Sequence, residues 1–116
     1  MSKQKICNTA DLIPNSGVCA LLNESNDNAA QEIQEQIAIF YLPETDEKVF
    51  AINNWDPLGQ ANILSRGIVC SIDNELTVAS PLYKQHFSLS SGKCLEEDAS
   101  VKTYPVTIEG DAVYLN

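Results

Sequence analysis

The chain is poor in histidine and has only one, His86, among its 116 residues. A site that needs two imidazole ligands therefore cannot be built from one copy of this chain. Any nucleophilic triad that depends on histidine would have to use His86. Nothing near His86 in the sequence marks a nucleophile, so we expect a structural or surface histidine.

The chain also lacks closely spaced cysteines, because Cys7, Cys19, Cys70 and Cys94 include no Cys-x-x-Cys pair. Short spacing is what lets a chain close a zinc or iron–sulfur site locally, so such sites lose support. Cys19 and Cys70 lie in apolar, strand-like runs and are predicted to be small buried residues. Redox sensitivity stays open for Cys7 and Cys94.

Positive charge is scarce: seven Lys and Arg stand against sixteen Asp and Glu, for a net charge of −9. From this composition we expect no cationic patch for phosphates, which argues against nucleic-acid binding. The acidic excess indicates either simple solubility or steering toward a basic partner surface. No apolar run approaches the roughly 20 residues of a membrane span, and no signal-peptide pattern follows the first lysines. We expect a cytoplasmic protein that forms a single domain over residues 1–116.

What the sequence does have is a period close to two, with turn residues at short intervals. This pattern predicts an all-β domain, an antiparallel sandwich or partial barrel of about nine or ten short strands. The polar segment 23–32 is predicted to be a loop with a helical turn near 29–32, and residues 54–67 a long loop. The predicted strands are Lys5–Cys7, Val18–Leu22, Gln36–Leu42, Lys48–Asn53, Ile68–Ile72, Glu75–Ala79, His86–Leu89, Val101–Ile108 and Ala112–Leu115.

From about Lys48 to the end, the order of these parts resembles the Rieske iron–sulfur domain. In that family the first of two loops carries Cys-x-His and the second carries Cys-x-x-His. The cysteines hold one iron of a [2Fe-2S] cluster and the histidines hold the other. The segments that carry the resemblance are Leu64–Gly67, Phe87–Gly92 and Tyr104–Val106, with Gly110 and Val113 in the closing hairpin.

The family's four ligand positions fall on Asp56 and Leu58 in the first loop and on Ser80 and Tyr83 in the second. All four ligands are therefore replaced. Leucine cannot coordinate a metal, and the oxygens of Asp, Ser and Tyr suit a thiolate-rich cluster poorly. Together with the single histidine, the resemblance implies a Rieske-like fold without its cluster, and no metal, cofactor or catalytic residue in this chain.

One branch fits that departure, because nearly the whole chain resembles the small subunit of assimilatory NAD(P)H-dependent nitrite reductase. The matching segments are residues 6–22, Gln36–Phe40 and Val49–Asn54. The resemblance implies an accessory, non-catalytic subunit whose partner is the large subunit. That large subunit would carry siroheme, an iron–sulfur cluster, FAD and the NAD(P)H site, and would reduce nitrite to ammonium. Two alternatives stay open, a Rieske-type ferredoxin-like electron carrier and a free-standing β-sandwich binding protein.

Two uses are open for the loops if they hold no cluster. Apolar packing would order the tip of the domain by filling the void, since filled voids restore dispersion contacts. Docking on the large subunit is the other use, because Trp and Tyr are frequent at binding hot spots. The packing hypothesis uses Trp55, Leu58, Ile63, Leu82 and Tyr83. The docking hypothesis uses Trp55, Leu58, Arg66, Leu82, Tyr83 and Lys84.

Overall fold

The computed structural model describes residues 4–25, 32–82 and 84–116. Within these ranges it contains twelve strands, two short 3-10 helices at Thr9–Asp11 and Leu64–Arg66, and no α-helix. None of the described helices is long and apolar enough to cross a membrane. The strands are β1 (Gln4–Asn8), β2 (Ser16–Ser25), β3 (Glu32–Tyr41), β4 (Val49–Asn53), β5 (Trp55–Asp56), β6 (Ala61–Asn62), β7 (Ile68–Ile72), β8 (Glu75–Ala79), β9 (His86–Ser88), β10 (Thr103–Tyr104), β11 (Val106–Glu109) and β12 (Ala112–Leu115).

The all-β prediction is confirmed, and the strands form four antiparallel sheets. The largest has the order β10-β4-β3-β2, and two three-stranded sheets have the orders β1-β12-β11 and β7-β8-β9. The small pair β5-β6 lies inside the long first loop. Three strands, β5, β6 and β10, have only two residues each, and a run that short shows no period in a sequence.

The second and third strands are longer than their sequence pattern indicated. β2 and β3 pair over ten positions, from Ser16 opposite Tyr41 to Ser25 opposite Glu32. The loop prediction for 23–32 is therefore wrong at 23–25 and at Glu32, where backbone pairing overrides the polar composition. The helical turn predicted near 29–32 lies outside the described residues except for Glu32, which belongs to β3.

Hydrophobic cores lie on both faces of the central sheet. Ala38 and Phe40 of β3 point to one face, where they pack with Val78 and Phe87 of the β7-β8-β9 sheet. Ile37 and Ile39 point to the other face, where Val113 of β12 and Tyr104 of β10 cover them. A strand that is buried on both sides must be apolar at successive positions, which explains the unbroken run IAIF. The first of these cores also supports the two loops that the sequence singled out.

Candidate functional site

The two Rieske-type loops meet through one buried hydrogen bond. The first loop (residues 54–67) connects β4 to β7, and the second (residues 80–85) connects β8 to β9. The Ser80 hydroxyl donates to Asp56 Oδ2 across a distance of 2.5 Å. Asp56 is fully buried and Ser80 is 1% exposed. These are the two positions that the resemblance assigns to cysteine ligands, and here they contact each other directly.

Asp56 also organises the first loop around itself. Its Oδ1 atom accepts hydrogen bonds from the backbone N–H groups of Leu58 at 2.9 Å and Gly59 at 3.1 Å. Its carbonyl oxygen accepts the N–H of Gln60 at 2.7 Å. An aspartate that bonds the backbone two and three residues ahead is typical of a turn. With Ser80 included, the buried carboxyl group accepts three hydrogen bonds, which offset the cost of removing it from water.

The second loop is closed by its own backbone. The N–H of Ser80 donates to the carbonyl of Gln85 at 2.8 Å, and the N–H of Lys84 donates to the carbonyl of Ser80 at 3.0 Å. Lys84 has a positive φ of 62°, which the tight turn requires. Leu82 reaches across to the first loop: its Cδ1 atom lies 2.8 Å from where a Cβ on Gly59 would stand. A side chain at position 59 would therefore displace the end of the Leu82 side chain and crowd Asp56 Oδ2.

The residues present do not fit a [2Fe-2S] cluster. Ser80 and Asp56 approach to the separation of a direct hydrogen bond, so their oxygens bond each other rather than a metal between them. Leu58, at a histidine position, is half-buried and packs against the first core. Tyr83, at the other histidine position, lies outside the described residues. The part of the chain that the structure describes contains no group of three or more His, Cys, Asp or Glu side chains arranged to hold a metal.

Asn54 anchors the first loop from below, a role that the sequence did not reveal. Its side chain is 2% exposed, donates to Gln36 Oε1 at 3.0 Å and accepts the N–H of Ser65 at 2.7 Å. Its carbonyl oxygen accepts the N–H groups of Ile63 and Leu64 at 2.9 and 3.1 Å. Asn54 thus holds both ends of the first loop against the central sheet. In the sequence, Asn54 looks like a turn residue, so no sequence signal marked it as buried.

The only histidine is structural, in agreement with the sequence. His86 Nδ1 lies 2.7 Å from Glu96 Oε2, and the His86 backbone N–H donates to Glu96 Oε1 at 2.8 Å. The His86 backbone N–H bond is the largest cause of a lowered pKa of the Glu96 carboxyl, and the bond and charge of the His86 ring add to it. This pair ties β9 to the acidic loop that follows Cys94. The partner ten residues away carried no recognisable sequence pattern.

All four cysteines are free thiols. Cys19 is exposed, so its predicted burial is wrong. Its Sγ nonetheless approaches Gln36 Oε1 and Asn54 Nδ2, each at 3.6 Å. Partial burial raises the pKa of the Cys19 thiol, although the charge of Arg66 opposes the shift. Burial likewise raises the pKa of Cys7, so neither thiol has the character of a reactive thiolate.

The predicted apolar packing at the tip is found only in part. Leu58 packs inward, but Trp55 is 43% exposed and Leu82 is 53% exposed. The packing hypothesis is therefore wrong for Trp55, and Leu82 packs only in part, against Gly59. The loops are held together instead by a polar contact between Asp56 and Ser80, supported by the fit of Leu82 over Gly59. Residue types in a sequence do not reveal which of two neighbouring side chains turns inward.

The residues of the docking hypothesis divide between two grooves. Trp55 lines a groove of about 330 Å³ with Pro57, Val101 and Lys102. Arg66 and Lys84 line a second groove of about 450 Å³, whose lining among the described residues contains no Asp or Glu. We call this second groove the basic groove, and the residues that define it are Arg66, Ile68, Ser80, Pro81, Lys84 and His86. Ile68, which the sequence did not single out, is 74% exposed.

Comparisons with known proteins agree with this architecture. Residues 3–116 match the family described as Rieske-like [2Fe-2S] domain. The nitrite reductase (NADH) small subunit of Escherichia coli strain K12 is 44% identical over 99% of this chain and 98% of its own length. The NMR structure of the E. coli protein NirD superimposes with a TM-score of 0.77 at 42% identity, covering 98% of this chain and 96% of that one.

A third relative contains a similar sequence inside a much longer chain. The nitrite reductase [NAD(P)H] large subunit of Klebsiella oxytoca is 33% identical over 97% of this chain, and the match takes up 10% of that subunit. The chain belongs to the Rieske-like [2Fe-2S] domain family and, within it, to the family of nitrite reductase (NADH) small subunits.

Proposed function

We propose that this chain is an accessory, non-redox subunit of an NADH-dependent nitrite reductase and that it acts by binding the large subunit. The observation that carries the proposal is the Asp56–Ser80 hydrogen bond. It joins the two loops at the positions where a Rieske protein would bind iron. The domain therefore keeps the shape of an electron-transfer module without the donor set for its cluster.

The relatives support the choice of partner. A chain with 44% identity is a nitrite reductase small subunit, and a segment like this chain is part of a nitrite reductase large subunit. A domain that occurs both as a separate subunit and within the larger chain fits a function beside the catalytic part. In the proposed complex, the large subunit reduces nitrite to ammonium and carries the siroheme, iron–sulfur cluster, FAD and NAD(P)H site. We place the complex in the cytoplasm, where NADH is available.

The proposed docking face is the loop end of the domain, with Trp55, Leu82, Arg66 and Lys84 as exposed contacts. Tyr83 belongs to the same proposal. Leu58 supports this face from beneath, since it packs against the core. Partly exposed aromatic and arginine side chains are the residue types that contribute most at binding hot spots.

Co-expression with a nitrite reductase large subunit tests the proposal. We expect the two chains to co-purify, and nitrite-dependent NADH oxidation to be higher with this chain than without it. A ferredoxin-like electron carrier would instead contain iron, and a free-standing binding protein would leave the large subunit unbound. Failure to co-purify under low-salt conditions, with both chains folded, would refute the proposed partnership.

A further inference from the structure

The basic groove is a local exception in an acidic molecule. The chain has sixteen acidic and seven basic residues, yet two of the basic ones, Arg66 and Lys84, line this groove. His86 lines it as well. An acidic surface repels acidic partners. A positively charged groove on that surface therefore steers an approaching acidic segment to the groove.

The two cations are available for a partner. Neither Arg66 nor Lys84 forms an ion pair with any side chain that the structure describes. Lys102, by contrast, lies 3.7 Å from Glu35, and His86 is paired with Glu96. The pairing of His86 uses Nδ1 and leaves Nε2 without a hydrogen bond to the described residues. Exposed charges contribute little to folding stability, so Arg66 and Lys84 have no evident structural use.

The backbone at both cations is hydrogen-bonded within its turn. Arg66 ends the 3-10 helix Leu64–Arg66, and its N–H donates to the Ile63 carbonyl at 2.9 Å. Lys84 is fixed by its backbone bond to Ser80, which is in turn locked to Asp56. A site that is ordered before binding loses less entropy when a partner arrives.

Apolar surface lies directly beside the charges. Ile68 is 74% exposed, and Pro81 on the facing loop is also exposed. Apolar area that a partner covers supplies affinity, and the adjacent charges supply specificity and orientation. We propose that the basic groove binds an acidic segment of the large subunit, with carboxylates at Arg66 and Lys84 and an apolar side chain against Ile68.

This inference rests on the proposed function. Variants in which two charges are reversed test the groove assignment separately from the proposed function. The test variant is Arg66→Glu with Lys84→Glu. The matched control is Lys5→Glu with Lys93→Glu, which reverses the same number of charges at two exposed lysines outside the groove. Circular dichroism would establish that both variants fold. The affinity of each for the large subunit is then measured by calorimetry at low and at high salt.

We expect the groove variant to bind at least about tenfold more weakly at low salt, the control to change much less, and the loss to shrink at high salt. Equal losses in both variants would reduce the effect to net charge and overturn the groove assignment while leaving the proposed function intact. Wild-type chain that does not bind the large subunit at all would overturn both.

Zero-length carbodiimide coupling, which joins a lysine amine to a carboxylate, identifies the occupant directly. Mass spectrometry of the coupled complex should show Lys84 joined to an Asp or Glu of the large subunit, and Lys93 not joined. Coupling of Lys84 only to a second copy of this chain, with a dimer in sedimentation that the groove variant abolishes, would contradict the proposal.

Discussion

Asp56 and Ser80 lie where the family resemblance puts two cysteine ligands, and they satisfy each other. The Asp56 carboxyl is fully buried, and its three hydrogen-bond donors come from both loops. If the buried Asp56 carboxyl lost one of these donors, its desolvation cost would remain and one compensating hydrogen bond would be missing. The contact between the loops therefore depends on the Ser80 hydroxyl.

Replacing Ser80 with alanine tests that dependence. Ser80→Ala should lower the free energy of unfolding by about 1–3 kcal/mol, because Asp56 Oδ2 is left without its partner. Urea denaturation followed by Trp55 fluorescence measures the change. Ser71→Ala is the control, since Ser71 is exposed on β7 and should change stability by no more than about 0.5 kcal/mol. Equal stability of Ser80→Ala and wild type would show that the hydrogen bond contributes nothing to the fold.

At the scale of the elements, the first loop and the strand that follows the second loop are each fixed by a side chain that no sequence motif marked. Asn54 holds the first loop to β3 through Gln36 and to the 3-10 helix through Ser65. Glu96 holds the start of β9 through the backbone and ring of His86. Both contacts join segments that are ten or more residues apart in the chain.

Removing the Asn54 side chain should release the first loop. Asn54→Ala leaves the Ser65 N–H and Gln36 Oε1 without their partner, and we expect a loss of about 2–3 kcal/mol in the free energy of unfolding. Asn62→Ala, at an exposed position in β6, is the matched control and should be nearly neutral. Faster amide hydrogen exchange across 54–67 in the Asn54 variant alone would locate the effect. Protection that stayed unchanged there would contradict the anchoring role.

The Glu96–His86 contact predicts a dependence of stability on acid. The pKa of Glu96 is lowered from its ordinary value of 4.5 in the folded protein, chiefly by the His86 backbone N–H. A lowered folded pKa gives stability that is complete above the ordinary pKa and is lost as the pH falls through the folded one. Glu96→Gln should therefore reduce the slope of stability against pH in the acid range below the ordinary glutamate pKa of 4.5.

Urea titrations at a series of pH values measure that slope. Glu44→Gln is the control, because Glu44 is exposed and its carboxyl takes no part in a described ion pair. The contact has no role in acid stability if the two variants lose stability in parallel as the pH falls.

At the scale of the whole molecule, the sequence predicted the class of fold and the places of the two Rieske-type loops. Strands Ile68–Ile72 and Glu75–Ala79 match their predicted bounds, because alternation and a tight turn are local properties. The pairing of β2 with β3 through polar residues was missed, since strand pairing is decided by neighbours far along the chain.

The sequence predicted which positions form the candidate site, but it did not predict which of their side chains contact each other. The resemblance assigned Asp56 and Ser80 to the ligand places, but only the structure shows that they bond each other. Ile68 and His86 both line the basic groove because β7 and β9 lie on either side of β8 in one sheet. This arrangement brings residues from separate segments together.

The domain is proposed to support nitrite reduction without iron of its own, and the assembled complex tests this proposal. The isolated chain is analysed for iron and then added, after treatment with a chelator, to a large subunit that was prepared separately. We predict no stoichiometric iron in the chain and an undiminished stimulation of nitrite-dependent NADH oxidation after chelation. Two irons per chain, with stimulation lost on their removal, would contradict the account.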